Sequence, residues 1–153
     1  MTVQTRVLVA VAGAETGPFW DRVRQLVPPD MAIELVHVID EAPVQEIGMQ
    51  FYRRPGHPRP PDLEARAQQA AALGTEAILA RAQDGLGRPA STFVERGRPE
   101  QVIVARAWDV GASLVVVGAR PGDLHTPAEP HSLGHVSRFV VDHAPCPVLL
   151  VRV

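Results

Sequence analysis

The residues of this chain that are best suited to chemistry lie in one connection, residues 118–137, which is rich in Gly, Pro and His. Two apolar runs, residues 114–117 and 148–151, lie before and after it, and each is bounded by Gly or Pro. Runs this short and this apolar are typical of strands that are buried on both faces of a parallel sheet. Because ligands bind at the carboxyl ends of parallel strands, we expect the functional site in the loop that follows Val117.

Three histidines of this connection, His125, His131 and His135, are candidate metal ligands. His131 and His135 have the i, i+4 spacing that places two imidazoles on one metal ion when the segment is helical. However, the residues between them precede or begin a helix, no cysteine is near, and Asp123 or Glu129 would have to complete the ligand set. The favoured interpretation is therefore a group of exposed loop histidines, and no metal is predicted.

Catalytic patterns are weak in this sequence. Ser137 is not part of a Gly-x-Ser-x-Gly elbow, and residues 13–17 do not form a Gly-x-Gly-x-x-Gly turn. Cys146 lies between two prolines without a neighbouring cation, which predicts a buried and unreactive thiol. All 15 basic residues are arginines, so neither a phosphate-loop lysine nor a Schiff-base lysine exists here. We predict no catalytic residue.

Strands and helices alternate along the whole chain. Alternation predicts right-handed crossovers and one parallel sheet covered on both faces, in an α/β domain that spans residues 1–153. Residues 40–61 form a long Pro- and Arg-containing connection that is either a lid or a loose surface loop, and the loose loop is favoured. The predicted strands are residues 6–12, 32–39, 90–95, 114–117 and 148–151, and the predicted helices are residues 18–27, 62–83, 99–110 and a last helix that carries Val136, Phe139 and Val140.

Apolar spacing predicts which side chains of the helices face the core. In the first helix these include Leu26, and in the Ala-rich second helix they include Leu73, Ala77, Ile78 and Ala82. The Gly-Leu-Gly-Arg-Pro sequence at residues 85–89 should end the second helix. The two tryptophans, Trp20 and Trp108, are expected to anchor their helices in the core.

Composition excludes several classes of partner. The chain has 153 residues, a net charge of -2 and 46% hydrophobic residues. No basic surface is expected, so we predict no nucleic-acid partner and no anionic membrane surface. The first residues lack an apolar secretory segment, and no apolar run is long enough to span a membrane. A single cysteine excludes an internal disulfide and is typical of a reducing, cytoplasmic location.

The C-terminal segment resembles the signature of the universal stress protein family. The resemblance rests on Val-Val-Val-Gly at 115–118, Arg120, Leu-Gly at 133–134, Val-Ser at 136–137 and His-Ala-Pro-Cys-Pro-Val-Leu-Leu-Val at 143–151. Residues 35–38 and 95–103 are also similar, so only residues 40–61 lie outside it. The resemblance implies a flavodoxin-like, Rossmann-like doubly wound sheet with five strands in the order 3-2-1-4-5 and four helices. It also implies a homodimer through the last strand, which would cover an apolar edge.

The resemblance further implies an ATP site whose phosphate side is altered here. Its second glycine position is held by Pro121, which has no N–H to donate, and Gly122 is the nearest substitute. His135 replaces a hydroxyl residue, so a protonated imidazole would have to meet the phosphate, with an affinity that rises as pH falls. The residues assigned to this side are Gly118, Arg120, Gly122, Gly134, His135, Val136 and Ser137.

The base side of the implied site consists of Val11, Ala12 and Val38. Ala12 stands where family members that bind ATP carry an aspartate, so a polar anchor is missing. We therefore expect a protein of the stress response that acts by binding and regulation, with a degenerate site that holds ATP weakly or not at all. The alternatives are a weak ATPase that uses ATP and Mg²⁺ through a remodelled loop, and an interaction module without any ligand.

Overall fold

Strands alternate with helices throughout the structure, a computed structural model that describes residues 4–41, 63–119 and 133–152. All five strands are parallel and form one sheet in the order 3-2-1-4-5, counted along the chain, which confirms the predicted doubly wound α/β class. The elements are β1 (Arg6–Ala10), α1 (Gly17–Leu26), β2 (Ala32–Asp40), α2 (Leu63–Leu86), β3 (Ser91–Gly97), α3 (Pro99–Asp109), β4 (Leu114–Gly118), α4 (His135–His143) and β5 (Val148–Val151).

The sheet separates two apolar cores, because successive side chains of a strand point to opposite faces. On one face Val9 of β1 belongs to a buried cluster with Phe19 of α1 and Leu86 of α2. On the other face Leu8 of β1 belongs to a cluster that includes Val140 of α4. The helices of right-handed crossovers run antiparallel to the strands, so α3 and α4 both begin at the carboxyl edge of the sheet.

Helix α1 is anchored by two aromatic residues near its start. Pro18 lies in the first turn, where its missing N–H leaves no donor unsatisfied. The rings of Phe19 and Trp20 are both buried and meet edge to face, with centroids 5.0 Å apart. The prediction that Leu26 faces the core is wrong, because the helix ends there and Val27, the next residue, takes the buried position.

Helix α2 ends at Leu86, within the Gly-Leu-Gly-Arg-Pro sequence that was predicted to end it, three residues beyond the predicted boundary at residue 83. Gly85 is itself helical and is needed for packing, since a Cβ there would lie 2.4 Å from Cδ1 of Trp20. The predicted inner face is partly wrong, because Ala77 is exposed and Leu73 is 62% exposed. Ile78 and Ala82 do face the core, which confirms that part of the prediction, and Thr75, Leu79 and Leu86 join them although the Ala-rich sequence has no apolar stripe that marks them.

An ion pair between a half-buried arginine and a buried carboxylate fixes α3 against the sheet. Both carboxylate oxygens of Glu34 on β2 accept from Arg106 on α3, from Nε at 2.7 Å and from Nη2 at 3.0 Å. These hydrogen bonds raise the pKa of Arg106, and its guanidinium also lies 4.0 Å from the ring centroid of Phe93. The other aromatic residue of this region, Trp108, is 66% exposed, so its predicted anchoring role is wrong.

Candidate functional site

A crevice is expected where the sheet reverses its strand order, between β1 and β4. The chain builds β2 and β3 on one side of β1 and then returns to place β4 on the other side, with Val9 beside Val116. Outside the carboxyl ends of two such strands the loops diverge, which is where open α/β sheets bind ligands. Ala12 follows β1 and Gly118 ends β4, so the structure brings parts of both predicted sides to this edge.

The start of α4 is held directly against the end of β4. The buried hydroxyl of Ser137 donates to the carbonyl oxygen of Gly118 at 3.0 Å. Gly134 caps the helix, and its carbonyl oxygen accepts from the N–H of Arg138 at 3.0 Å. The backbone N–H groups of the first turn, which include His135 and Val136, have no acceptor within the helix and can face an anion.

His135 meets a carboxylate that sequence reasoning missed. Its Nε2 lies 3.4 Å from Oε1 of Glu100, in the first turn of α3. The imidazole is 77% exposed, whereas the Glu100 side chain is only 9% exposed. The position of Glu100 directly after Pro99 marks it as a first-turn residue, but only the packing of α3 beside α4 pairs it with His135.

A second carboxylate occupies the end of β1. Oε1 of Glu15 accepts from the N–H of Ala12 at 2.7 Å, and Oε2 accepts from the N–H of Gly13 at 2.9 Å. Gly13 has φ +93, a left-handed conformation that favours glycine and aims consecutive N–H groups at one point. Sequence reasoning noted the missing aspartate at Ala12 and overlooked Glu15, although a Glu shortly after a Gly is the available signal.

The three residues assigned to the base side do not share one face of the sheet. Val11 is buried with the cluster under α1 and α2, and its N–H continues the ladder to the carbonyl oxygen of Val36 at 2.9 Å. Val38 packs beside the cluster under α3 and α4. The register that pairs Ala10 with Val36 continues to the exposed Ala12, which therefore lies beside Val38 on the same face. The face of Val38 is thus the face on which α4 begins.

Several predicted residues lie outside the described ranges. These are Arg120, Pro121 and Gly122 of the phosphate side and the loop histidines His125 and His131, and residues 42–62 of the long connection lie outside as well. Within residues 4–41, 63–119 and 133–152, no group of three or more metal-ligating side chains comes together.

The remaining histidines and the cysteine have structural surroundings. Nδ1 of the buried His37 lies 2.9 Å from the carbonyl oxygen of Val11, so the imidazole is satisfied within the sheet. Nδ1 of His143 lies 2.9 Å from the carbonyl oxygen of Phe139, and its ring stacks on the ring of that residue. Burial raises the pKa of the Cys146 thiol, which disfavours the reactive thiolate.

No helix in the described part of the chain combines the length and the apolar character that a membrane crossing requires.

Comparison with known proteins identifies one family. Residues 5–152 match the universal stress protein family. Among proteins of curated function, none matches the sequence significantly.

Solved structures share the fold over nearly the full chain. The universal stress protein UspA from Lactobacillus plantarum superposes with a TM-score of 0.64 at 21% identity, covering 97% of this chain and 98% of that chain. A universal stress protein family protein from Arabidopsis thaliana with AMP bound gives 0.60 at 22% identity, covering 97% and 91%. A universal stress protein in complex with cAMP gives 0.56 at 20% identity, covering 97% of both chains. At these identities the likeness establishes the fold alone.

Proposed function

Because this chain belongs to the universal stress protein family, we propose that it acts in the stress response by ligand binding and regulation rather than by turnover. Its proposed ligand is an adenine nucleotide, held weakly in the crevice outside β1 and β4. The observation that carries the proposal is the hydrogen bond from the Ser137 hydroxyl to the Gly118 carbonyl oxygen, 3.0 Å long. It holds the first turn of a nine-residue helix at the crevice, where its N–H groups suit a phosphate.

Two structural neighbours support an adenine nucleotide as the ligand class. One of them holds AMP and another holds cAMP, and both share this fold. The proposed phosphate side consists of Gly118, Gly134, His135, Val136 and Ser137, with Arg120 and Gly122 added from the sequence. The proposed base side consists of Val11, Ala12 and Val38. Val11 has only the second lone pair of its carbonyl oxygen to offer, because its side chain is buried, its N–H is bonded to Val36 and its carbonyl oxygen already contacts His37.

Glu15 extends the base side beyond the sequence prediction. Its carboxylate is held by two backbone N–H groups, and each oxygen keeps a lone pair for a further donor. A ligand hydroxyl is such a donor, so Glu15 partly replaces the acceptor that Ala12 lacks. This contact supports binding of the sugar part of a nucleotide.

Three features favour weak binding over tight binding. The Ser137 hydroxyl already donates to Gly118, the imidazole of His135 already faces Glu100, and Pro121 has no N–H. An ATPase would additionally need Mg²⁺-bound ATP, a positioned water and a general base. Two carboxylates are described at this edge, but Glu15 is bound by backbone N–H groups and Glu100 faces His135, so neither is free to act as the general base. Weak ATPase activity is therefore the second candidate function.

The proposal includes a homodimer through β5 and a location in the cytoplasm. β5 pairs with β4 on one side and ends the sheet on the other, and Val148, Leu149 and Leu150 are only half-buried. A strand edge of this kind presents unpaired N–H and C=O groups, which a second copy can pair. The cytoplasmic location rests on the single free cysteine.

The test is an NMR titration of the ¹⁵N-labelled protein with AMP and, separately, with Mg-ATP. We expect dissociation constants of about 0.1 mM or weaker, with shifts concentrated at Ala12, Gly13, Gly118 and residues 134–137. Gly111 and Ala112, before the opposite end of β4, are the internal control and should not move. Shifts that concentrate at the control end, or no shifts at millimolar nucleotide, would contradict the proposed function.

A further inference from the structure

We propose that the contact between Glu100 and His135 makes this crevice select nucleotides of low charge, so that a mononucleotide binds better than a triphosphate. The inference rests on the proposed function, because it names the ligand subclass of the same site. It concerns the discriminating residue, Glu100, which lies at the start of a different helix from the proposed phosphate side.

Glu100 is a nearly buried carboxylate at the start of α3. Its side chain is 9% exposed and lies in the first turn of α3, where the positive end of the helix dipole favours a negative charge. The helix is held in place by the bidentate pair of Arg106 with Glu34, so the carboxylate cannot easily move away.

His135 is the first residue of α4. Its Nε2 is 3.4 Å from Oε1 of Glu100, so the carboxylate lies at the end of the imidazole of the first residue of the helix whose N–H groups would bind phosphate. An anion at the start of α4 is therefore attracted by the helix N–H groups and contacts the imidazole of His135. It also approaches the negative charge of Glu100, which repels it. Repulsion grows with the charge of the anion, whereas the number of helix N–H groups stays the same.

The turn after β1 forms the opposite border of the crevice. The N–H groups of Ala12 and Gly13 form a concave pair that would suit an anion, but Glu15 fills it. The turn after β1 and the start of α4 both present backbone N–H groups at this edge. The first binds the carboxylate of Glu15, and the second has the carboxylate of Glu100 at its first side chain. Arg98 and Arg138 flank the two helix starts in sequence but are exposed, so solvent and salt weaken their attraction for phosphate.

The ligand class follows from the charges. A monophosphate carries about two negative charges at neutral pH, and each further phosphate adds to them. A mononucleotide can place its single phosphate on the α4 terminus, whereas a triphosphate must also bring its outer phosphates near Glu100. We therefore assign the site to mononucleotides, either a nucleoside monophosphate such as AMP or a cyclic nucleotide such as cAMP.

The experiment compares AMP with ATP, both without Mg²⁺ so that their charges stay different. Calorimetric titrations use the full chain as wild type, Glu100→Gln and Asp109→Asn. In the wild type we expect AMP to bind more tightly than ATP. In Glu100→Gln the affinity for ATP should rise about tenfold more than that for AMP, a ratio that corresponds to about 1.4 kcal/mol. Asp109→Asn removes the same charge at the far end of α3 and should leave the ratio unchanged.

The outcomes separate this inference from the proposed function. If Glu100→Gln is folded and the ratio of the two affinities stays at the wild-type value, the inference is overturned while nucleotide binding stands. If neither nucleotide binds to any of the three proteins, the proposed function fails and the inference fails with it.

A measurement on the wild type covers the case in which Glu100→Gln does not fold. Raising the KCl concentration from about 0.05 to about 0.5 M shortens the Debye length severalfold and weakens both attraction and repulsion. Because the proposed repulsion acts more strongly on ATP, the ratio of the ATP affinity to the AMP affinity should rise at high salt. A ratio that stays constant or falls would overturn the inference.

Discussion

Two buried carboxylates, Glu34 and Glu100, show how differently this protein uses the same group. Glu34 lies within the sheet with a side chain that is 5% exposed, and both of its oxygens accept hydrogen bonds from Arg106. Glu100 lies at the carboxyl edge, and its contact among the described residues is one exposed imidazole at 3.4 Å. We call the first a closed contact, because partners satisfy the whole group, and the second an open contact.

Burial alone does not determine whether a carboxylate is fully paired, since both side chains are less than 10% exposed and only Glu34 has a bidentate partner. A buried charge that is fully paired contributes to the fold and has little capacity left for a ligand. A buried charge beside an exposed, polar partner still acts on whatever approaches that partner. The closed contact joins α3 to β2 within the sheet, whereas the open contact lies between the starts of α3 and α4 at the carboxyl edge.

The largest expected effect comes from breaking the closed ion pair. Arg106→Ala leaves the Glu34 carboxylate buried without its bidentate partner, and such a loss typically lowers the free energy of unfolding by about 3–5 kcal/mol. We expect the lower end of that range, since Nη1 of Arg6 lies 3.9 Å from Oε2 of Glu34 and can compensate in part. Urea denaturation measures the loss.

Arg98→Ala is the matched control for this prediction. Arg98 precedes the same helix and is exposed, so its removal should change the free energy of unfolding by less than about 0.5 kcal/mol. Equal effects of the two substitutions would show that Glu34 and Arg106 are not a closed pair.

Two glycines of α2 extend the same contrast to apolar packing. Gly85 touches Trp20 so closely that an added Cβ would lie 2.4 Å from the indole, while a Cβ on Gly74 would meet nothing within 4 Å. We expect Gly85→Ala to lower the free energy of unfolding by about 1–3 kcal/mol through overpacking. Gly74→Ala should raise it by up to about 1 kcal/mol, because alanine favours the helix. Thermal melts of both variants that shift upward would contradict the packing of α1 on α2.

Most of the fold could be predicted from the sequence because local patterns and tertiary structure agree. Short β-branched runs bounded by Gly and Pro gave five strands, and the alternation with helices gave a parallel sheet. The errors lie where packing overrides a local signal. The Ala-rich face of α2 contains no stripe that would have excluded Leu73, and Trp108 is exposed although its helix is amphipathic.

The candidate site was less predictable, because its new members depend on contacts between distant elements. Glu100 precedes His135 by 35 positions, and nothing local marks either residue as the other's partner. Glu34 lies between Ile33 and Leu35 in β2, and nothing in the sequence of this strand indicates that its carboxylate is buried and paired with an arginine of α3. Glu15 is the exception, since its partners are only two and three residues away and a turn with a glycine could have suggested it.

The smallest effect on stability is expected at the junction that carries the proposed function. Ser137→Ala removes the hydrogen bond to the Gly118 carbonyl oxygen and leaves that acceptor at a partly buried position, which should lower the free energy of unfolding by about 1 kcal/mol. The same loss frees the start of α4, so hydrogen exchange should accelerate at the amides of residues 138–140 more than elsewhere in the sheet and its helices. Ser113→Ala is the control, because Ser113 is exposed beside β4 and its backbone N–H, not its hydroxyl, bonds to Arg6. A uniform change in exchange across the molecule would mean that the Ser137 contact supports the whole fold, and it would then belong with Glu34 among the closed contacts.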